Sequence, residues 1–512
     1  MNKNELLIGC DIGTSGTKAV VFDASGKAVS SATYEYGMSQ PQNGWAEQDP
    51  LDWWQGACSA IKEAVEKSGA SPDAVRGIGL SGQMHGLVML DEADRVIRPA
   101  IIWCDQRTAK ECEEMTADLG LDTLMKITCS PALTGFTASK IKWVQNNEPE
   151  NWARCAKLML PKDYIRYRLT GEFATEVSDA SGMQLLDVPN RRWSDTMLSY
   201  FGIKPSMVGK MYESQEATGR LTASAAALCG LNPGVVVAGG AGDQAASAVG
   251  NGIVKSGVAS ITMGTSGVVF VHSDSVKTDK EGRVHTFCHA VPGAWHVMGV
   301  TQGAGLSFKW FRDNFMGDAA ATAAMFGAPL NKYLDDIAAT VPAGARGLLY
   351  LPYLMGERSP HPDPYCRGVF FGLSALHGRP EMLRAVLEGV VYSLLDCAEI
   401  IEEMGIPVSD ISLAGGGANS RLWTQMMSDA FGKTMFKPNS SESGALGVAL
   451  LAGVASGIYT DVASAAETVV IKTISNKPDM KLNELYRGYF GLYKNIYLSL
   501  KADFKTLAVL DK

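Results

Sequence analysis

The sequence predicts an α/β protein of two related domains, 1–250 and 251–512, with a nucleotide held in a cleft between them. Three observations predict it. The tetrapeptide Gly-Thr-Ser-Gly occurs at 13–16 and again at 264–267, an offset of 251 in a chain of 512 residues. Each copy is flanked by β-branched apolar runs, so each reads as strand, tight turn, strand. Strand-like and helix-like segments then alternate through both halves, the pattern of α/β domains, in a chain longer than one domain usually holds. The junction falls near Asn251 to Gly257, and no low-complexity linker marks it.

The elements follow in order. Leu6 to Ile12 and Thr17 to Phe22 flank the first turn, and Ala28 to Tyr34 follows the turn Asp23-Ala-Ser-Gly26. A helix is predicted from Pro50 to Lys67: Asp49 caps it, Pro50 suits its first turn and Gly69 lies just past its end. Trp54, Cys58, Ile61 and Val65 fall at helical spacing and define its buried face. Val75 to Leu80 and Gly86 to Leu90 read as strands. In the second half, Pro380 to Met404 carries an apolar stripe (Leu383, Val386, Leu387, Val390, Leu394) and stops at Gly405. Ile411 to Ala414 is a short strand, followed by three glycines and a helix capped by Ser420 and ended by Gly432. Leu482, Tyr486, Tyr489, Tyr493, Ile496, Leu500 and Phe504 sit at helical spacing near the end, a stripe expected to pack on the domain.

Composition narrows the function. Hydrophobic residues make up 46% and charged residues 20%, which excludes disordered and fibrous classes. The net charge is −8 and no Lys/Arg block occurs, so no nucleic-acid partner is expected. The apolar run Ala445 to Ala455 is about half the ~20 residues that span a bilayer, so no membrane association is expected. The apolar run near the start ends at Asp11, too short for a signal-peptide core. Ten scattered cysteines without a C-x-x-C read as reduced thiols of a cytoplasmic protein. His285, Cys288 and His289 lack a second pair at zinc spacing.

Three glycine-rich turns follow strands: 13–16, 264–267 and 415–417. Glycine lets backbone N–H groups approach a phosphate, and the Thr and Ser hydroxyls add donors. The chain has neither G-x-x-x-x-G-K-[ST] nor G-x-G-x-x-G, which excludes a P-loop or dinucleotide site by motif. Two phosphate hairpins and a third turn for a nucleoside suggest an ATP site split between the domains. Asp11, at a strand end before the first turn, is placed to hold Mg²⁺ through water, and Lys18 returns on the next strand. Asp243 sits in Gly239-Gly-Ala-Gly-Asp-Gln244 after an apolar run. The sharp turn presents an acid and an amide, the acid suited to take a proton from an attacking hydroxyl; the alternative is an Asp that caps a helix starting near Gln244. Gln83, Met84 and His85 lie between Gly82 and Gly86. Trp103-Cys-Asp105-Gln-Arg107 joins an aromatic ring, an acid, an amide and a guanidinium, and Trp45, Glu47, Gln48, Asp49, Trp53 and Trp54 form a similar cluster. Both suit a pocket that reads hydroxyls.

These residues resemble a known family. Asp11-x-Gly-Thr-Ser-Gly-x-Lys18, the second Gly-Thr-Ser-Gly and Gly415-Gly-Gly-Ala-Asn419 resemble the phosphate and adenosine elements of the actin–hexokinase–Hsp70 superfamily. Gly135 to Asn147, and Gly368 to Leu373 with Glu381 to Glu388, resemble the two patterns of the FGGY carbohydrate kinases. Gly79 to Gly86, Trp45 to Pro50, Leu160 to Tyr164, Thr170 to Glu172 and Leu351 to Arg358 resemble the branch that phosphorylates D-xylulose.

The resemblance implies two ribonuclease-H-like domains that close over sugar and MgATP, and conversion of D-xylulose to D-xylulose 5-phosphate. It implies Asp243 as base and Asp11 near Mg²⁺. It places Met84 and His85 at the sugar, where the residues' own chemistry adds Gln83, Trp103, Asp105 and Gln244. It places Gly13, Thr14, Ser15, Lys18, Gly264 and Thr265 at the phosphates, and Trp310, Gly415, Gly416 and Asn419 around the nucleoside. It also implies a homodimer. The family often has Asn where this chain has Cys104 and Gln244. The rival readings are a kinase of ribulose, fuculose, gluconate or glycerol, and an actin-like nucleotide switch that transfers nothing.

Overall fold

The computed structural model describes residues 5–510. Its first sheet is built on β1 (Leu6–Ile12), β2 (Gly16–Asp23), β3 (Ala28–Glu35), β4 (Val75–Gly82), β5 (Ala217–Arg220) and β6 (Val236–Ala238), in the order β5-β6-β4-β1-β2-β3. The second is built on β7 (Gly257–Met263), β8 (Gly267–Ser273), β9 (His285–Cys288), β10 (Trp295–Thr301), β11 (Val408–Ala414), β12 (Met435–Pro438) and β13 (Lys472–Asn476), in the order β9-β10-β8-β7-β11-β12-β13.

The two sheets repeat one topology. The hairpin β1/β2 is antiparallel, as is β7/β8. β3 continues the first hairpin and β10 the second, both antiparallel. β4 lies parallel to β1 and β11 parallel to β7; β6 and β12 extend each sheet in parallel. The duplication read from the tetrapeptide therefore extends to every central strand pair.

Local signals explain the helices. α1 (Pro50–Ser68) is capped by Asp49, whose carboxylate accepts the Leu51 N–H, and Gly69 ends it in the left-handed region at φ 65°. Its buried face carries Trp53, Ala57, Cys58, Ile61 and Val65. Trp53 thus faces the core where the spacing assigned Trp54, because Trp53 extends the Ala57/Ala60/Ala64 row; Trp54 packs at the edge against Arg168. The strand expected over Gly86 to Leu90 is shorter, Val88–Leu90, since the preceding turn keeps Gly86 against Pro161. α2 (Asp243–Gly250) starts one residue before the helix expected at Gln244, with Gly242 at its N-cap. α3 (Arg379–Glu403) and α4 (Arg421–Phe431) cover the second sheet; Ser420 caps α4 and Gly432 ends it. α5 (Ser443–Ala455) belongs to the second half of the chain yet packs on the first sheet, with Leu7, Val20 and Ala238 in one cluster. It crosses α2 at backbone distance, and a Cβ on Gly250 or Gly447 would overlap a carbonyl of the other helix. α6 (Met480–Leu510) buries Tyr486, Phe490, Tyr493, Ile496, Tyr497 and Phe504 against the second core.

No helix among the described residues is long and apolar enough to cross a membrane. No cluster of three or more His, Cys, Asp or Glu there is arranged to hold a metal.

Candidate active site

The first hairpin turn is braced by its carbonyls. Gly13 N–H donates to the Gly16 carbonyl (3.0 Å), Tyr36 Oη donates to the Gly13 carbonyl (2.7 Å) and Gln48 Nε2 to the Thr14 carbonyl (2.7 Å). The Thr14 and Ser15 N–H groups find no acceptor among the described residues, which is what an anion-binding turn requires. The second turn is built alike: Gly264 N–H donates to the Ser266 carbonyl (2.9 Å), and the N–H groups of Gly305 and Leu306 dock on the Gly264 and Thr265 carbonyls. At the third turn Gly415 sits at φ 80°, and a side chain there would strike the Met263 backbone.

Gly264, Thr265, Gly416 and Asn419 line one cleft of about 1540 Å³, together with Lys309, Arg312 and Lys437. Its cationic rim suits a polyanion. Trp310 does not line it. That ring turns onto the second core, edge-on to Phe315 at 5.3 Å and parallel to Tyr350 at 6.4 Å, while Phe308 and Arg312 of the same helix supply the wall. Gly415 lies behind the lining and Asn419 accepts from Lys437 Nζ at 3.2 Å.

Asp11 is the last residue but one of β1, half-buried, with Oδ1 sealed from solvent and without a partner among the described residues. Burial raises its carboxyl above the ordinary range and Glu442 adds to this; Ser81 and Lys18 oppose it. Asp243 is the first residue of α2. Burial pushes its carboxyl up to about 7, with the negative charge of Asp11 adding and Gln244 opposing. Asp243 is thus no cap; Gly242 holds that position. An unpartnered carboxylate oxygen beside a second acid fits a site that receives a cation with its phosphates.

Met84 lies beneath the Asp243 turn: a Cβ on Gly242 would stand 2.9 Å from Met84 Cγ. His85 occupies the left-handed region at φ 68°, a conformation that must be held by its surroundings. Lys140 Nζ (2.8 Å) and Thr137 Oγ1 (3.1 Å) both donate to its carbonyl, and the Phe136 ring packs on the imidazole at 4.6 Å, tilted by 40°. Burial holds the imidazole well below its usual pKa, with the Lys140 charge adding. The ring is neutral, and Nδ1–H donation to the Gly182 carbonyl (3.0 Å) leaves Nε2 as an acceptor for a hydroxyl. Trp103 is 39% exposed, and its Nε1 donates to Thr14 Oγ1 at 2.9 Å, which ties the ring to the first hairpin.

Two expected sugar residues serve the frame. Asp105 is sealed and accepts from Ala46 N–H (2.6 Å) and Arg107 (2.7 Å), leaving no oxygen toward the cleft. Gln83 is buried and bridges Gln48 Oε1 (2.8 Å) to the first hairpin. Lys18 lies against Glu442 at 2.6 Å.

Sequence reading missed a buried ion cluster behind the Asp243 turn. Lys162 pairs with Asp163 (2.7 Å), Glu176 (3.2 Å) and Asp179 (3.3 Å), and Arg166 pairs with Asp163 (2.9 Å). Arg166 Nη1 donates to the Gly239 carbonyl at 2.7 Å; Ser178 Oγ, held by Glu176, accepts the Gly242 N–H at 3.2 Å. Two of the five lie in Leu160 to Tyr164, one of the stretches that carry the family resemblance.

Comparison with known proteins gives this geometry a context. Residues 6–250 match the N-terminal domain of the FGGY family of carbohydrate kinases, and residues 259–456 match its C-terminal domain. The chain is 37% identical to the xylulose kinase of Bacillus subtilis over 97% of each chain. Among solved structures it is similar to a xylulose kinase from Rhodospirillum rubrum (TM-score 0.91, 29% identity, covering 98% of this chain and 100% of that one). It is similar to a gluconate kinase from Lactobacillus acidophilus as well (TM-score 0.92, 27% identity, covering 98% and 99%).

Proposed function

The chain belongs to the FGGY family of carbohydrate kinases, and on that footing we propose that it phosphorylates D-xylulose at its primary hydroxyl, giving D-xylulose 5-phosphate and ADP. The observation that carries this reading is the line Asp243, Met84, His85. It joins a carboxylate poised near neutral pH to a neutral imidazole that reads a hydroxyl, in a chain whose full-length relative is a xylulose kinase.

In this reading the sugar O5 attacks the γ-phosphorus of ATP. Asp243 takes the O5 proton, the new O5–P bond forms, and the bond to the β,γ-bridging oxygen breaks to release ADP. MgATP is the phosphoryl donor, and Asp11 would hold its cation through water. The N–H groups of the two glycine turns would receive the phosphates, and the cleft along Gly416 and Asn419 the nucleoside. Closure of the lobes would exclude water, the competing acceptor. With ten free cysteines, the enzyme is proposed to work in the reducing cytoplasm.

A coupled ADP-release assay over xylulose, ribulose, fuculose, gluconate and glycerol tests the reading. The expected result is the highest kcat/KM on D-xylulose. A higher value on gluconate would favour the second reading, which the likeness to a gluconate kinase supports. ATP binding without transfer to any sugar would leave only a nucleotide switch.

A further inference from the structure

Arg358 follows the strand Leu349–Leu351 of the second lobe and reaches across to the first, where a Cβ on Gly135 would stand 3.6 Å from Nη2. Its backbone is fixed. The buried Glu357 carboxylate accepts from Arg358 N–H (2.7 Å), Gln302 N–H (2.8 Å) and Thr301 Oγ1 (2.6 Å). Its guanidinium, though half-buried, makes no ion pair and no hydrogen bond with any described residue. A guanidinium carries five N–H donors, and leaving them unmet while partly desolvated is costly.

The surroundings make the vacancy sharper. Lys140 and the neutral His85 and His285 are the titratable groups that face Arg358 from the first lobe and from β9, and Glu357 is the carboxylate that acts on it. Lys140 directs its ammonium to two carbonyls, those of His85 (2.8 Å) and Gly135 (2.7 Å). Both ring nitrogens of His285 are buried and find no partner among the described residues. Arg358 is therefore a strong donor unmet by the described residues, beside two neutral imidazoles that each keep one acceptor nitrogen. Its place is equally definite: the order runs from Asp243 through Met84 and His85 to Phe136 and Gly135, then Arg358. Arg358 stands at the end remote from the phosphoryl transfer.

We infer that Arg358 is a specificity-determining residue, donating to a carbonyl or carboxylate oxygen at the non-reacting end of the acceptor sugar. The inference rests on the sugar-kinase reading and names what the pocket demands of its substrate: an sp² oxygen, as a 2-ketose or an aldonic acid has and a polyol lacks. A site that holds an unpaired donor rejects ligands that cannot accept from it.

Steady-state kinetics of the full chain test it with a 2-ketopentose, the matching pentitol and D-gluconate. Arg358→Met should lower kcat/KM for the ketose roughly 10–100-fold, mainly through KM, with the pentitol value and the ATP KM changed by less than about twofold. Arg358→Lys should recover part of the ketose loss. Equal losses on ketose and pentitol, or an unchanged ketose KM, overturn the inference. If the wild type uses gluconate and no ketose, the D-xylulose reading fails. In that case a loss confined to gluconate still supports Arg358, and a loss shared with the pentitol refutes it.

Discussion

The Lys18 ammonium lies 2.6 Å from the Glu442 carboxylate, tying the first phosphate hairpin to the residue before α5. Both side chains are about a third exposed, 37% and 30%, so the pair contributes under about 1 kcal/mol to stability. On the proposed reading its weight falls on the nucleotide, where Glu442 would compete with phosphate for Lys18. Lys18→Met is expected to raise the KM for ATP about tenfold, the scale of one charge-assisted contact. Glu442→Gln should lower that KM or leave it unchanged, and should have no effect in the Lys18→Met background. If Glu442→Gln raises it as much as Lys18→Met does, the pair acts as a tether instead.

Asp243→Ala should lower kcat by roughly 10²–10⁴ while nucleotide affinity measured by calorimetry stays near wild type. Turnover close to wild type would remove Asp243 from the base role. The pH profile gives a second readout. With its carboxyl at about 7 in the free protein, kcat/KM should climb with pH through that value and level off above it. An acid limb near pH 4, where an ordinary Asp titrates, would contradict the raised value.

The same shift has a sign for stability. The Asp243 carboxyl titrates at 3.8 when unfolded and at about 7 when folded. Between those values the native state binds more protons, so stability falls as pH rises and the full penalty is present above 7. Asp243→Asn removes it. The variant should be more stable than wild type by about 1–3 kcal/mol at pH 8, with the gain shrinking toward pH 4. Urea denaturation at the two pH values checks this; a gain independent of pH would assign it to packing.

Arg166→Met should cost about 3–5 kcal/mol, since it leaves the buried carboxylates of Asp163, Glu176 and Asp179 to share Lys162. Because Arg166 also holds the Gly239 carbonyl, kcat should fall more than the KM for ATP in whatever fraction folds. Thermal melts and single-temperature kinetics report the two effects separately, and a melt within about 1 °C of wild type would show the cluster to be dispensable.

What the sequence made legible was local. The glycine turns, the Asp49 and Ser420 caps and the Gly69 and Gly432 stops all act within a few residues, and each stands where its signal put it. Trp53 and Trp54 were ambiguous because neighbouring positions on a helix share a boundary, and only the sheet beneath decides between them. The resemblance puts Trp310 at the nucleoside, yet Phe315 of its own helix and Tyr350 from a separate strand hold it on the core. Asp105 read as a sugar ligand because an acid beside Trp and Arg suits both roles; the Ala46 N–H that fixes it lies 59 residues away. The Lys162 cluster forms where a helix folds back on residues 176–179 and reaches Gly239, and Arg358 meets Gly135 from far along the chain; no spacing rule reports either.

The two sheets share one blueprint but carry their additions at different joints. In the first, the long excursion runs between β4 and β6 and holds Met84, His85, Trp103 and Gly135. In the second, it runs between β10 and β11 and supplies Phe308, Lys309 and Arg312 of the nucleotide cleft. On the proposed reading, acceptor choice and donor choice are thereby encoded in separate stretches of chain hung on one repeated scaffold. Selection is free to remodel one without disturbing the other, save where a residue such as Arg358 reaches across and makes the nucleotide lobe answerable to the sugar.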